Sequence, residues 1–145
     1  MQNRQLAVGT ISFAVCFAAW GLISAFATRF RDLYHLSASQ TALLVAVPVL
    51  LGSLARLPMG LLTDRFQGRG VFAALLAFSA VPALLAPIVS SFTMLIVVAF
   101  LLGMAGSSFA VGVGFISPWF PKERQGAALG IYGLSLIHIS EPTRP

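Results

Sequence analysis

One cation stands alone in a long apolar run. Between residues 40 and 62 every side chain is uncharged except Arg56. An ionisable group at membrane depth is costly unless it meets a partner, a water-filled cavity or a ligand of opposite charge. A guanidinium carries a fixed charge and offers several N–H donors in one plane, a geometry that suits a flat oxyanion. Gly52, Arg56 and Gly60 recur every four residues, so on a helix they share a side. The guanidinium is therefore expected to look out between two gaps in the side-chain surface, with room for a ligand or a facing helix. Two roles suit it. It holds a small anion near mid-membrane, or it snorkels to the headgroups or pairs within the bundle. Asp64 lies about 12 Å further along the helix, too far for an easy direct pair.

No other set of residues supports covalent chemistry. The chain has no carboxylate pair in an apolar run, no Ser-His-Asp set, no metal-ligand spacing and no phosphate-binding glycine loop. Neither an enzyme nor a metal or cofactor is expected. His35 falls in a polar connection without a second ligand nearby, and Cys16, the single cysteine, has no partner for an intrachain disulfide.

The elements that must position Arg56 follow from composition. The 145 residues are 58% hydrophobic and 9% charged, against about 25% charged in a soluble domain. A chain so poor in charge cannot clothe a globular surface, so the lipid bilayer is its solvent. Nine cations against four acids leave a net charge of +5. They sit in short connections between apolar runs, which indicates membrane orientation and no nucleic-acid partner. Roughly 20 apolar residues cross a bilayer. The expected spans are residues 6–28, 40–62, 71–89 and 92–116, with the start of a fifth at 126–133. No charged residue or histidine occurs from 70 to 121, and Pro87, Ser90 and Ser91 mark the turn that divides that run. Residues 29–39 are expected to be a polar connection, ending in the capping-box pattern Ser37-Ala38-Ser39-Gln40. Pro48 and Pro58 are tolerable inside a membrane helix when neighbours satisfy the freed backbone. Phe13, Phe17, Trp20, Ser24 and Thr28 share a side of the first span, which packs in the bundle or lines a path. Gly103, Gly106, Ser107, Ala110 and Gly114 form a small-residue stripe, which serves plain packing or a contact that moves during transport. The fold class is all-α, a polytopic transmembrane helix bundle.

Charge sets the orientation. Arg4, Arg65, Arg69, Lys122 and Arg124 fall on one side of the bilayer, and Arg29 and Arg31 on the other. The cation-rich side faces the cytoplasm, so the amino terminus is expected inside, in a cell inner (plasma) membrane. Residues 134–145 break the apolar pattern with Glu141, Arg144 and two prolines. They resemble the in-frame translation of a sequencing adapter and are expected to be an artefactual tail, leaving His138 and Glu141 without a role.

The run Gly60-Leu61-Leu62-Thr63-Asp64-Arg65-Phe66-Gln67-Gly68-Arg69, placed between the second and third spans, resembles the signature turn of the major facilitator superfamily. Two further stretches are similar to the nitrate/nitrite porter branch. One is Gly52-x3-Arg56-x3-Gly60, and the other runs from Gly103 through Phe109, Gly112, Gly114, Pro121, Gln125, Gly126 and Gly130 to Gly133. The resemblance covers nearly all of residues 1–133. It implies the partial N-terminal half of a major facilitator fold, with alternating-access transport of a small inorganic oxyanion, nitrate or nitrite first. It implies that Arg56 binds the anion, that Phe109 packs against it, and that Gly133 opens a glycine-rich stretch approaching the substrate through its backbone. It gives Gly60, Asp64, Arg65, Gly68 and Arg69 the signature turn, with Asp64 holding a cytoplasmic gate closed against a C-terminal half that this fragment lacks. Without the resemblance, Arg65 and Arg69 serve equally as solvated positive-inside residues, and Phe109 as core or lipid packing. The alternatives are another anion permease of the same superfamily, for cyanate or carboxylates, and a small membrane scaffold that transports nothing.

Overall fold

The computed structural model describes residues 1–140, with side chains as far as Leu134. Backbone groups inside hydrocarbon have no water to bond, so uncharged apolar runs coil into helices. Helix α1 is Gln2–Ala25, α2 Ala27–Tyr34, α3 Ala38–Arg65, α4 Gly68–Leu85, α5 Phe92–Gly103, α6 Ser108–Ile116 and α7 Lys122–Ser140. Short 3₁₀ turns at Ala86–Ile88, Met104–Ser107 and Ser117–Trp119 join or extend them. Four stretches are long and apolar enough to cross a membrane: Gln2–Ala25, Ala38–Arg65, Gly68–Ile88 and Phe92–Trp119. The fold is an all-α polytopic bundle, with no strand among the described residues.

The polar connection expected at 29–39 is largely helical. The chain breaks at Phe26 (φ −101°, ψ 10°), and α2 then runs to His35, which caps it in the left-handed region (φ 51°, ψ 44°). Its polar residues point outward while Phe30 is buried, a short amphipathic helix that composition alone reads as loop. The expected capping box forms: the Ser37 hydroxyl accepts from the Gln40 N–H at 3.2 Å, and the Gln40 side chain accepts from the Ser37 N–H at 2.9 Å.

The core lies in two clusters. One joins Phe13 and Cys16 of α1 to Val71, Phe72 and Leu75 of α4, Phe115 and Ile116 of α6, and Ala128 and Tyr132 of α7. The other gathers Ile23, Phe30, Leu44, Val89, Leu95 and Leu102 around α2 and the turn before α5. The Tyr34 hydroxyl, donating to the Val89 carbonyl, closes that second end.

Candidate functional site

Between the two clusters α3 and the α5–α6 span meet nearly backbone to backbone. A Cβ at Gly103 would stand 2.8 Å from the Pro48 carbonyl oxygen and from the Leu51 Cβ, and one at Gly52 would stand 3.0 Å from the Gly103 carbonyl oxygen. The Trp20 indole N–H donates to the Pro48 carbonyl at 3.2 Å, and its ring covers Gly106, where a Cβ would come within 2.9 Å of Nε1. Here the span tightens into the 3₁₀ turn Met104–Ser107, and the Ser107 hydroxyl donates to the Met104 carbonyl at 2.7 Å. A tightened turn in mid-helix marks a hinge or a point of strain.

Arg56 lies just past this crossing. Ala55 is buried and Arg56 is exposed. Its side chain makes no hydrogen bond or ion pair among the described residues. The gap expected on each side of it is open on one only. The span containing Gly103 and Gly106 fills the Gly52 side, whereas nothing lies within 4 Å of a Cβ at Gly60. The reason is helical drift: residues four apart are displaced by about 40° around the axis, so Gly52 faces the neighbour and Gly60 has turned away. A second contact fixes depth. A Cβ at Gly114 would lie 2.7 Å from the Thr63 methyl, so α3 and α6 run in the same direction. Interpolating between the Gly52–Gly106 and Thr63–Gly114 contacts sets Arg56 level with about Phe109.

Phe109 is 40% exposed, and its ring meets Phe13 at 5.9 Å and Tyr132 at 5.8 Å between centroids. Phe13 continues to Phe17 at 5.8 Å and Phe17 to Trp20 at 5.1 Å, an aromatic row along α1 from Phe109 to the crossing. Gly133 is half-buried and Gly126 and Gly130, on its side of α7, are exposed; nothing lies within 4 Å of a Cβ at any of the three. Backbone is therefore open to approach there.

The turn between α3 and α4 borders a cleft of about 780 Å³, whose walls include Thr63, Asp64, Arg65, Arg69, Gly114 and Trp119. Gly68 starts α4 directly against α6, where a Cβ would press within 3.1 Å of Phe115 and Thr63. Asp64, Arg65 and Arg69 are exposed. Their side chains form no ion pair among the described residues. Acid and cations are thus presented outward. The described residues include no cluster of three metal-type ligands.

Sequence reasoning gave Tyr132 no role. It is fully buried, and its hydroxyl donates to the Ser108 carbonyl at 2.9 Å. The signal was available: a tyrosine in an apolar helix must find an acceptor for its O–H, and a facing glycine, Gly112, leaves the space.

A polytopic bundle with an exposed cation that has no partner among the described residues, a half-open ring at about the same level and a charged turn at one end has the makings of a membrane solute carrier. Residues 8–137 match the Major Facilitator Superfamily, and the chain belongs to that family. It is a transporter family, so the protein is a multi-pass membrane protein and not an enzyme. The chain is 43% identical over 137 residues to the probable nitrate/nitrite antiporter NarK1 of Thermus thermophilus, covering 94% of this chain and 31% of that protein. It is 36% identical over 139 residues to the probable nitrate/nitrite transporter NarK2 of Mycobacterium tuberculosis, covering 94% and 35%. To the nitrite extrusion protein of Bacillus subtilis it is 37% identical over 136 residues, covering 94% and 34%. The chain spans about a third of the length of these relatives.

Proposed function

We propose that the chain is the N-terminal part of a carrier for a small inorganic oxyanion, nitrate or nitrite first, working by alternating access. The observation that carries this reading is Arg56: a guanidinium nine residues, about 14 Å, from the end of α3 at Arg65, exposed, without a partner among the described residues, and level with the half-open ring of Phe109. A planar fork of donors takes up the equatorial oxygens of a flat anion, and the ring supplies an apolar wall that favours a weakly hydrated one. Gly133, open on α7, lets backbone approach the same solute. The names of the relatives support nitrate and nitrite over cyanate or carboxylates.

In this reading the remaining two thirds of the transporter faces Arg56 and contributes a second cation. Two halves related by an axis along the membrane normal then rock around a midplane site. The turn Gly60–Arg69 lies on the cytoplasmic side, where Asp64, Arg65 and Arg69 meet the other half, with Gly60 and Gly68 allowing the close approach. The amino terminus is cytoplasmic and the membrane is the inner (plasma) membrane.

The test is nitrate uptake by the whole transporter carrying Arg56→Ala or Arg56→Lys. Both are expected to abolish uptake while leaving the amount of protein in the membrane unchanged, because Lys keeps the charge and loses the fork. Uptake at the wild-type rate in either variant would remove Arg56 from the site.

A further inference from the structure

We propose that Tyr132 is the positioning residue for Phe109, setting the aromatic wall of the anion site from the buried side; the proposal rests on the anion-carrier reading above. Contacts with four residues bear on the tyrosine's role. Its ring lies 4.5 Å from Phe13 and 5.8 Å from Phe109, inclined 35° and 32°, so one fully buried ring backs another that is 40% exposed. Its hydroxyl donates to the carbonyl of Ser108, the residue that immediately precedes Phe109, at 2.9 Å. The hydroxyl also sits over Gly112, one helical turn from Ser108, where a Cβ would stand 1.8 Å from the oxygen. A side chain of any other type at 112 would evict the ring, so glycine there and tyrosine at 132 are two halves of one fitting.

The consequence for Phe109 is mechanical. The 3₁₀ turn Met104–Ser107 ends just before it, so the start of α6 is where the span is least regular. Tyr132 ties that start to α7 by one hydrogen bond and blocks the inward side of the Phe109 ring with its own. The ring is then held toward the exposed side, at the level of Arg56. Because Tyr132 adjoins Gly133, the same short piece of α7 would present backbone to the solute and fix the wall opposite.

The experiment measures nitrate transport by the whole transporter in proteoliposomes, with KM and turnover separated. Tyr132→Phe removes only the oxygen. It is expected to raise KM for nitrate about three- to ten-fold, the equivalent of one lost hydrogen bond, with turnover and membrane abundance unchanged. In a Phe109→Ala background the same change is expected to move KM by less than about 1.5-fold, because the ring it positions is gone. Gly112→Ala is expected to reproduce the KM effect by unseating the ring. If it does not reach the membrane, Tyr132→Phe, which preserves the packed volume, carries the test. An unchanged KM in Tyr132→Phe, or a full effect persisting without Phe109, would reduce Tyr132 to a packing residue and overturn the proposal. A wild-type transporter indifferent to nitrate and nitrite, or an Arg56→Ala variant that transports normally, would bring down the carrier reading itself, a separate result from either of these.

Discussion

At the scale of single residues, the glycines divide into those that are filled against and those that are not, and sequence cannot tell them apart. Gly52, Arg56 and Gly60 form a regular four-residue series, which was legible, as was the anomaly of a cation in an apolar run. Which of the glycines a neighbouring helix occupies was not, because a period fixes an angle around one axis and leaves the position of the next axis free. The structure supplies it: Gly103 is pressed against Pro48 and Leu51, whereas a Cβ at Gly21 of α1 meets nothing within 4 Å. Gly103→Ala is accordingly expected to destabilise the protein by about 1–3 kcal/mol, since carbonyl and backbone atoms cannot step aside as a flexible side chain would. Gly21→Ala is expected to be neutral or to stabilise by about 0.5–1 kcal/mol through helix propensity. Thermal unfolding of the purified variants in one detergent, followed by aggregation-sensitive fluorescence, checks the sign of both. Phe109 was picked out by resemblance alone, and its exposure and depth come from the structure. Tyr132, which sets it, was readable only as a polar-tipped ring needing an acceptor.

At the scale of elements, what is local was legible and what is conditional on a neighbour was not. The Ser37–Gln40 capping box needs only four residues, and it forms. Helix α2 hides among polar residues, because its stabilisation comes from burying Phe30 and Leu36 in a cluster built by α1, α3 and α5. The 3₁₀ turn at Met104–Ser107 has no proline to announce it. It arises where Gly103 and Gly106 let the span settle onto α3, and it is braced by Trp20, whose N–H reaches across to the Pro48 carbonyl. That bond joins α1 to α3, and the indole that makes it lies over Gly106 of the next span at the same level. Trp20→Phe keeps an apolar ring and removes the donor, so it is expected to cost about 0.5–1.5 kcal/mol. It should also speed amide hydrogen exchange locally, at residues 104–108, while α4 keeps its protection. Equal loss of protection in α4 would show that the indole holds the whole bundle together and does not specifically brace the bend.

At the scale of the molecule, the four helices long and apolar enough to cross a membrane stand in the gaps between charges, whereas the side of the membrane each turn occupies is a matter of counting cations. Arg4, Arg65, Arg69, Lys122 and Arg124 fall at one end of the bundle and Arg29 and Arg31 at the other. Each lysine or arginine held on the cytoplasmic side lowers the free energy of that orientation, and the bias acts through short loops such as these. The arrangement can be read chemically because this part of the transporter adds no reactive thiol of its own: Cys16, the one cysteine of this chain, is 1% exposed and packed within the cluster of α1, α4, α6 and α7. A thiol placed at Gln67 or Glu123 is exposed at the signature-turn end, and one at His35 is exposed at the other. In right-side-out vesicles of the whole transporter, with every cysteine outside this chain replaced by serine, His35→Cys is expected to react with a membrane-impermeant maleimide, while Gln67→Cys and Glu123→Cys stay unlabelled until the vesicles are inverted or lysed. That background without an added cysteine is expected to remain unlabelled in both. The reverse pattern would place Arg65 and Arg69 outside the cell, and with them the turn to which the gating contact is assigned. The depth proposed for Arg56 does not depend on which end of the bundle faces the cytoplasm. The anion site and the gate are thus separable claims, and this labelling decides only the second.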